Sequence, residues 1–224
     1  MKKACILASS PRKQGNTNAL LVPFAAQLTA CGFQCETIRL YEKNIRPCTA
    51  CRACQKSLES FGCAVDDDMA EISDSVLSSE LMVLATPIYS WYCTPPLKAT
   101  LDRMVYGMNK FYGPPVDWAD SQTASSSQAL TENVQVFRQQ TTPEKVSLWR
   151  GKYAAVITTC GYRPERGADL FEEGIKRYCR HSGLNYIGML AERQLGYDTV
   201  FMDDEKELRA KEFACRLAEL IGLL

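Results

Sequence analysis

The segment Ser9-Ser10-Pro11-Arg12-Lys13-Gln14-Gly15-Asn16-Thr17-Asn18 follows a short apolar run and gathers hydroxyls, amides, one arginine and one glycine. A polar turn opening a helix can wrap an anion. Backbone N–H groups and the helix dipole supply partial positive charge, Arg12 offers a planar charged fork, and Gly15 permits a tight or left-handed turn. Neither a GxGxxG fingerprint nor a Lys-Ser/Thr pair after a glycine is present, so dinucleotide and nucleoside-triphosphate loops are not indicated. The expectation is a phosphate-bearing cofactor, with an ordinary capped strand–helix turn as the alternative.

A second loop, Thr86-Pro87-Ile88-Tyr89-Ser90-Trp91-Tyr92, carries three aromatics within four residues. An isoalloxazine ring wants a flat wall, an apolar lid and backbone amides at its polar atoms, and Tyr89, Trp91 or Tyr92 can supply the wall. Packing beneath an insertion or in a subunit interface is the alternative. A third loop, Thr158-Thr159-Cys160-Gly161-Tyr162, can cover the other edge of such a ring, with Gly161 allowing close approach. No hydrolytic machinery accompanies these loops and no catalytic side chain is assigned. The single histidine, His181, lies before Gly183, where capping a helix C-terminus accounts for it. Asp66, Asp67 and Asp68 stand at a helix start, with Asp68 as cap and Glu71 completing a capping box.

Eleven cysteines are present, an odd number that argues against a secreted disulfide framework. Cys5, Cys93 and Cys160 lie in apolar contexts and read as core filling. Cys48, Cys51, Cys54 and Cys63 are spaced C-x2-C-x2-C-x8-C. Four thiolates at this spacing can hold a [4Fe–4S] cluster, or tetrahedral zinc. They can equally form a reduced cysteine-rich loop at a subunit interface. Arg46 and Arg52 flank the group and can depress thiol pKa values.

These loops need elements to position them. Residues 4–8, 34–40, 81–85, 154–159 and 185–190 read as strands. They alternate with amphipathic helices over 16–31 (Leu20, Leu21, Phe24, Leu28), from Asp68 onward (Ile72, Val76, Leu77) and from Thr94-Pro95-Pro96 (Leu97, Leu101, Met104, Val105). Further helices are read over 167–180 and 205–220 (Leu208, Phe213, Leu217, Leu220). Buried strands alternating with helices predict an α/β parallel sheet covered on both faces, and five strands fit the flavodoxin-like order 2-1-3-4-5, a three-layer sandwich. All three ligand loops then follow strands, where such folds bind ligands. The 224 residues suit a single domain over 1–224, interrupted by an irregular insertion at about 110–150 that reads as a lid over the cofactor, a partner-subunit arm or a partly disordered segment. Lys plus Arg and Asp plus Glu balance at 26 each, so no global field favours nucleic acid. No segment has the length of a membrane span, and the short apolar run after Met1-Lys2-Lys3 is no signal peptide; a cytoplasmic protein is expected.

The combination of Ser9–Thr17, Pro47–Cys54, Cys63 through Asp67-Asp68-Met69, Thr86–Tyr89, Leu97-Lys98 and Leu101-Asp102-Arg103 resembles the NAD(P)H-dependent FMN reductase and iron–sulfur flavoprotein branch of the flavodoxin-like superfamily. The resemblance covers roughly residues 3–108 and 152–222. It implies noncovalent FMN, with Ser9, Ser10, Arg12, Asn16, Thr17 and Asn18 at phosphate-binding positions. Pro87, Ile88, Tyr89, Ser90 and Trp91 fall in the ring-binding loop, and Thr159, Cys160 and Gly161 in the third flavin loop. It also implies a homodimer or tetramer, with Asp102 and Arg103 fixing a helix or interface. NAD(P)H would donate hydride to flavin N5, and a quinone, nitro compound, free flavin or similar small molecule would accept electrons. The iron–sulfur branch adds Cys48, Cys51, Cys54 and Cys63 as cluster ligands, with a somewhat shorter final gap than here, and a ferredoxin-like electron partner. An electron carrier, or a thiol or metal sensor on a flavin-binding scaffold, are the rival functions.

Overall fold

Residues 4–8, 81–86 and 154–160 are buried at every position, as the central strands of a sheet covered on both faces must be. The computed structural model describes residues 1–112, 144–196 and 200–222. The elements run β1 (Lys2–Ala8), α1 (Asn16–Ala30), β2 (Phe33–Arg39), α2 (Met69–Leu77), β3 (Leu81–Pro87), α3 (Pro95–Met108), β4 (Asn109–Tyr112), β5 (Glu144–Ser147), β6 (Tyr153–Cys160), the single turn α4 (Pro164–Gly167), α5 (Asp169–Ser182), β7 (Asn185–Arg193) and α6 (Asp204–Leu220). Two short 3-10 turns, Leu40–Glu42 and Ala53–Lys56, lie between β2 and α2.

The main sheet has the order β2-β1-β3-β6-β7 with every pair parallel, which is the expected flavodoxin-like arrangement. Alternation along each strand divides the core into two. Cys5, Leu7, Met82, Leu84, Ala154 and Val156 meet α2, α3 and α5 on one face. Ala4, Ile6, Val83, Ala85, Ala155 and Ile157 meet α1 and α6 on the other. The register aligns Ala8 with Ala85, and Pro87 with Thr159, so the three ligand loops leave the sheet at one level.

Several local expectations are corrected. The Asp68–Glu71 capping box does not form: Asp68 accepts from the Asn44 N–H at 2.7 Å and Glu71 pairs with Lys43. The first N–H of α2, at Met69, goes to Asp67 at 3.2 Å instead. Thr94 precedes α3 without capping it, because its hydroxyl donates to the Ser9 carbonyl. In α6, Phe213 and Leu217 are buried with Ala210, Ala214 and Ala218, whereas Leu208 and Leu220 face solvent. His181 does not cap α5; Gly183 at φ +69° closes the helix with its own N–H on the Cys179 carbonyl. The ends of the expected irregular insertion are regular: β4 and β5 pair antiparallel, and Trp149 is fully buried beyond them. The lid or partner-arm expectation falls on residues 113–143, outside the described residues. Among the described residues no helix is long and apolar enough to cross a membrane.

Candidate functional site

At the carboxyl edge of the sheet, Ser10, Arg12, Asn16 and Thr17 meet Pro87, Ile88 and Tyr89 and the third loop's Thr159, Cys160 and Gly161 around a cleft of about 370 Å³ open to solvent. Ten predicted residues from three loops therefore share one site. The first loop is tight by necessity. The Gly15 N–H bonds the Arg12 carbonyl at 3.0 Å, and a Cβ at Gly15 would sit 3.1 Å from Arg12. No side chain caps α1 at Gly15, so the orphan N–H donors of its first turn open toward the cleft.

The remaining predicted residues hold the loops rather than line the cleft. Ser9 is fully buried, and its hydroxyl pairs with Thr94 Oγ1 at 2.6 Å. Asn18 turns its amide back onto the Arg12 and Lys13 carbonyls at 2.8 and 3.2 Å. Ser90 and Trp91, at φ +49° and +62°, form a two-residue turn closed by both Tyr89–Tyr92 backbone bonds. That turn sends Trp91 away from the cleft: its indole N–H donates to the Arg166 carbonyl at 3.2 Å and its ring stacks on Tyr162. Tyr92 packs edge-on against Phe171 in the core. Of the three aromatics, Tyr89 alone borders the cleft.

Buried hydroxyls tie the loops together. Thr17 Oγ1 meets Thr159 Oγ1 at 2.8 Å, and Thr158 Oγ1 donates to the Thr86 carbonyl at 2.6 Å. The Ile88 N–H donates to the Thr159 carbonyl at 2.8 Å. Burial pushes the Cys160 thiol pKa up, with Glu165 adding to the shift, so it stays protonated. Two lining residues, Gln194 and Gly196, come from the loop after β7. Sequence reading misses them because it ends that strand at Leu190, whereas β7 runs to Arg193. The rule that ligand loops follow strands would have pointed to them.

A second cavity, of about 110 Å³, is lined by Cys48, Cys51, Cys54 and Cys63 together with Arg52, Arg103 and Tyr106. All four thiols are free. Among the described residues no three Cys, His, Asp or Glu side chains converge as they would on one metal ion. The loop is fastened along its second half. Phe61 fills the space left by Gly107, where a Cβ would lie 2.2 Å from its ring. Gln55 donates to the Tyr106 and Asn109 carbonyls at 2.6 and 3.0 Å. Lys110, fully buried, donates to the Cys54 and Phe61 carbonyls at 2.7 and 3.2 Å. The first half is exposed, with Ala50 and Arg52 at positive φ.

Of the two arginines expected beside the thiols, Arg52 lines the cavity and Arg46 does not. Arg46 turns to Asp66 and Asp67, and the buried Arg103 approaches the thiols, donating to Cys63 Sγ at 3.1 Å and to Asp67 at 2.5 Å. Burial opposes the Arg103 charge, but the bonds to Asp67 and Cys63 hold its pKa above the ordinary value. Burial would likewise raise the Asp67 carboxyl; Arg103 and the Arg46 and Met69 N–H groups outweigh it and hold the pKa low. Cys51 is held low chiefly by the Ala53 N–H, aided by Thr49 and Lys56. Burial pulls the Lys110 pKa down.

The family model described as NADPH-dependent FMN reductase matches residues 2–169, and the chain belongs to that family. Similar proteins include an "Iron-sulfur flavoprotein" of Archaeoglobus fulgidus, 36% identical over 106 residues that make 47% of each chain. Another, from Methanosarcina thermophila, is 31% identical over 99 residues, 44% of this chain and 50% of that one. The chain thus spans about half the length of the relatives it matches. Among solved structures, the NAD(P)H:quinone oxidoreductase from Methanothermobacter marburgensis shares the fold at 17% identity and TM-score 0.60, covering 98% of this chain and 96% of that one. An FMN-dependent NADH-azoreductase from Bacillus anthracis does so at 15% identity and TM-score 0.60, covering 97% and 100%.

Proposed function

We propose that this member of the NADPH-dependent FMN reductase family binds FMN and transfers hydride from NAD(P)H to a small acceptor such as a quinone, nitro compound or flavin. The observation that carries this is the convergence of three strand-end loops, with the uncapped start of α1 and Arg12, on one cleft of suitable size. When bound, FMN supplies the hydride acceptor at its N5. Ser10, Arg12, Asn16, Thr17 and the first-turn N–H groups of α1 would hold its phosphate. Pro87, Ile88 and Tyr89 would flank one side of the ring, and Thr159 to Gly161 the other. A Cβ on Gly161 would meet no protein atom within 4 Å, which leaves that side open for a ligand. The hydroxyl ties hold both walls before a ligand arrives, which limits the reorganisation that binding requires. The test is anaerobic addition of NADPH or NADH to FMN-loaded protein: bleaching of the flavin band within minutes, with turnover on a quinone, is expected. Absence of FMN binding would overturn the assignment, and binding without turnover would favour a sensor. A homodimer or tetramer in the cytoplasm is proposed for this activity.

A second reading adds an iron–sulfur centre in the cysteine cavity. It draws on the four thiols around one space and on the name that several relatives carry. Cys48, Cys51, Cys54 and Cys63 would be its ligands, and the centre would supply one-electron transfer toward a ferredoxin-like partner. Iron and sulfide assays after anaerobic purification decide it, with about four irons per chain expected for a [4Fe–4S] group.

A further inference from the structure

Cys31 and Cys215 are 184 positions apart in the chain, yet their sulfurs lie 3.8 Å from each other. Cys31 closes the C-terminal end of α1, and Cys215 lies within α6. Both helices cover the same face of the sheet. Cys31 belongs to the core there with Phe24, Leu28 and Phe213, and Cys215 packs against it. The Gln27 amide, one turn before Cys31, reaches both sulfurs, at 3.7 Å to Cys31 and 3.3 Å to Cys215. One amino group therefore holds the two side chains toward each other. Both thiols are free, and their access to solvent differs. Cys31 is buried, whereas Cys215 is half-buried and is the one a small solute meets first. A disulfide places its sulfurs about 2.05 Å apart, so the pair must close by roughly 1.8 Å. Cys31 has room to do so: it stands at the helix end and is followed by Gly32 at φ +95°, so its backbone is less constrained than one inside a helix.

We propose that Cys31 and Cys215 are the site of a reversible disulfide, formed with a hydroperoxide as oxidant, that staples α1 to α6. The Cys215 thiolate attacks one oxygen of hydrogen peroxide; the O–O bond breaks, and a sulfenic acid and hydroxide result. The Cys31 sulfur then attacks the Cys215 sulfur. The S–S bond forms, the S–O bond breaks, and the oxygen leaves as water with the thiol proton. Two thiols and one hydrogen peroxide become one disulfide and two waters, with two electrons passing from sulfur to oxygen. Burial and the neighbouring Cys31 raise the Cys215 pKa, against the Gln27 N–H, so the first step is slow and the second, between sulfurs already in contact, is fast. A dithiol reverses the reaction by exchange. Neither FMN nor a metal takes part. The bond closes a loop of 184 residues, which removes freedom from the unfolded chain. It lies one helix length, about 22 Å, from the turn that opens α1, so it ties the domain together without reaching the cleft.

The test is peptide mapping by mass spectrometry of the full chain after overnight treatment with millimolar hydrogen peroxide and alkylation of the remaining thiols in denaturant. A peptide pair joined through Cys31 and Cys215 is expected, and dithiothreitol should release it. In Cys215→Ser, Cys31 should stay open to alkylation after the same treatment. Thermal melts read the staple itself. Oxidised wild type should melt about 5 °C above the reduced protein. Cys215→Ser treated alike should lack that rise, which separates this bond from any oxidation of the cysteines at 48–63. Full alkylation of Cys31 and Cys215 after peroxide would overturn the proposal. So would Cys215 recovered as sulfinic acid, or linked to a cysteine other than Cys31. A Cys31–Cys215 bond that leaves the melting midpoint unchanged or lower would overturn its role as a staple.

Discussion

The cofactor cleft and the cysteine cavity are held by different forces. The cleft's loops are joined by neutral hydroxyl and backbone bonds: Ser9 with Thr94, Thr17 with Thr159, Thr158 with Thr86, and Ile88 with Thr159. The cavity's loop is pinned chiefly by buried charge, through Arg103–Asp67 and Lys110, with neutral Gln55 bonds to the Tyr106 and Asn109 carbonyls and one ring in one glycine gap. Neutral ties each contribute about 1 kcal/mol and fail gradually. A buried ion pair fails abruptly, because removing one partner strands the other. The cleft should therefore tolerate single changes that the cavity does not.

Asp67→Ala is the strongest way to separate the two. It leaves Arg103 charged and unpaired, and should lower unfolding free energy by about 3–5 kcal/mol in urea; a loss below about 1 kcal/mol would place the clamp at the level of a surface pair. The same carboxylate sets an acid limit. Its folded pKa lies below the unfolded value of about 3.9, so its stabilisation is present above that pH and is lost as pH falls through the folded pKa. Urea midpoints measured from pH 5 downward should fall more steeply in wild type than in Asp67→Asn.

Gly107→Ala should cost about 1–3 kcal/mol, because the new methyl would lie 2.2 Å from the Phe61 ring. Faster alkylation of Cys63, with FMN affinity kept, would show the damage confined to the cavity. Arg12→Ala tests the other region. Its guanidinium is exposed, so the loss of FMN affinity should be about 1–2 kcal/mol, near tenfold by flavin fluorescence titration, with unchanged thermal stability. Equal FMN affinity would remove Arg12 from the phosphate site. The smallest effect is expected at Ser90, whose φ of +49° favours glycine: Ser90→Gly should be neutral to stabilising by about 0.5–1 kcal/mol. A destabilised Ser90→Gly would mean that the Trp91 turn carries no strain.

Much of the cleft was legible because its walls begin where strands end. The apolar runs at 4–8, 81–85 and 154–159 locate the strands, and parallel pairing brings their following loops to one edge. What misled was side-chain direction. Ser9, Asn18 and Trp91 have the composition of ligand contacts, yet each is used inside the protein. Competition between a ligand and a backbone carbonyl for one donor leaves no trace in composition. The proposed cap at Asp68 failed similarly, since the Asn44 N–H claims that carboxylate across 24 residues.

The sequence by itself determined the α/β order, the parallel sheet and the three loops at its carboxyl edge, because strand burial and helix periodicity are local patterns. It also determined the cysteine spacing. Only the tertiary structure decided which hydroxyls close the cleft, that Gln194 and Gly196 join it, and that the exposed-looking Lys110 is buried behind Cys54. Such pairings depend on segments distant in sequence meeting within hydrogen-bond range. A buried charge follows from the environment that folding builds around it rather than from its neighbours in the chain.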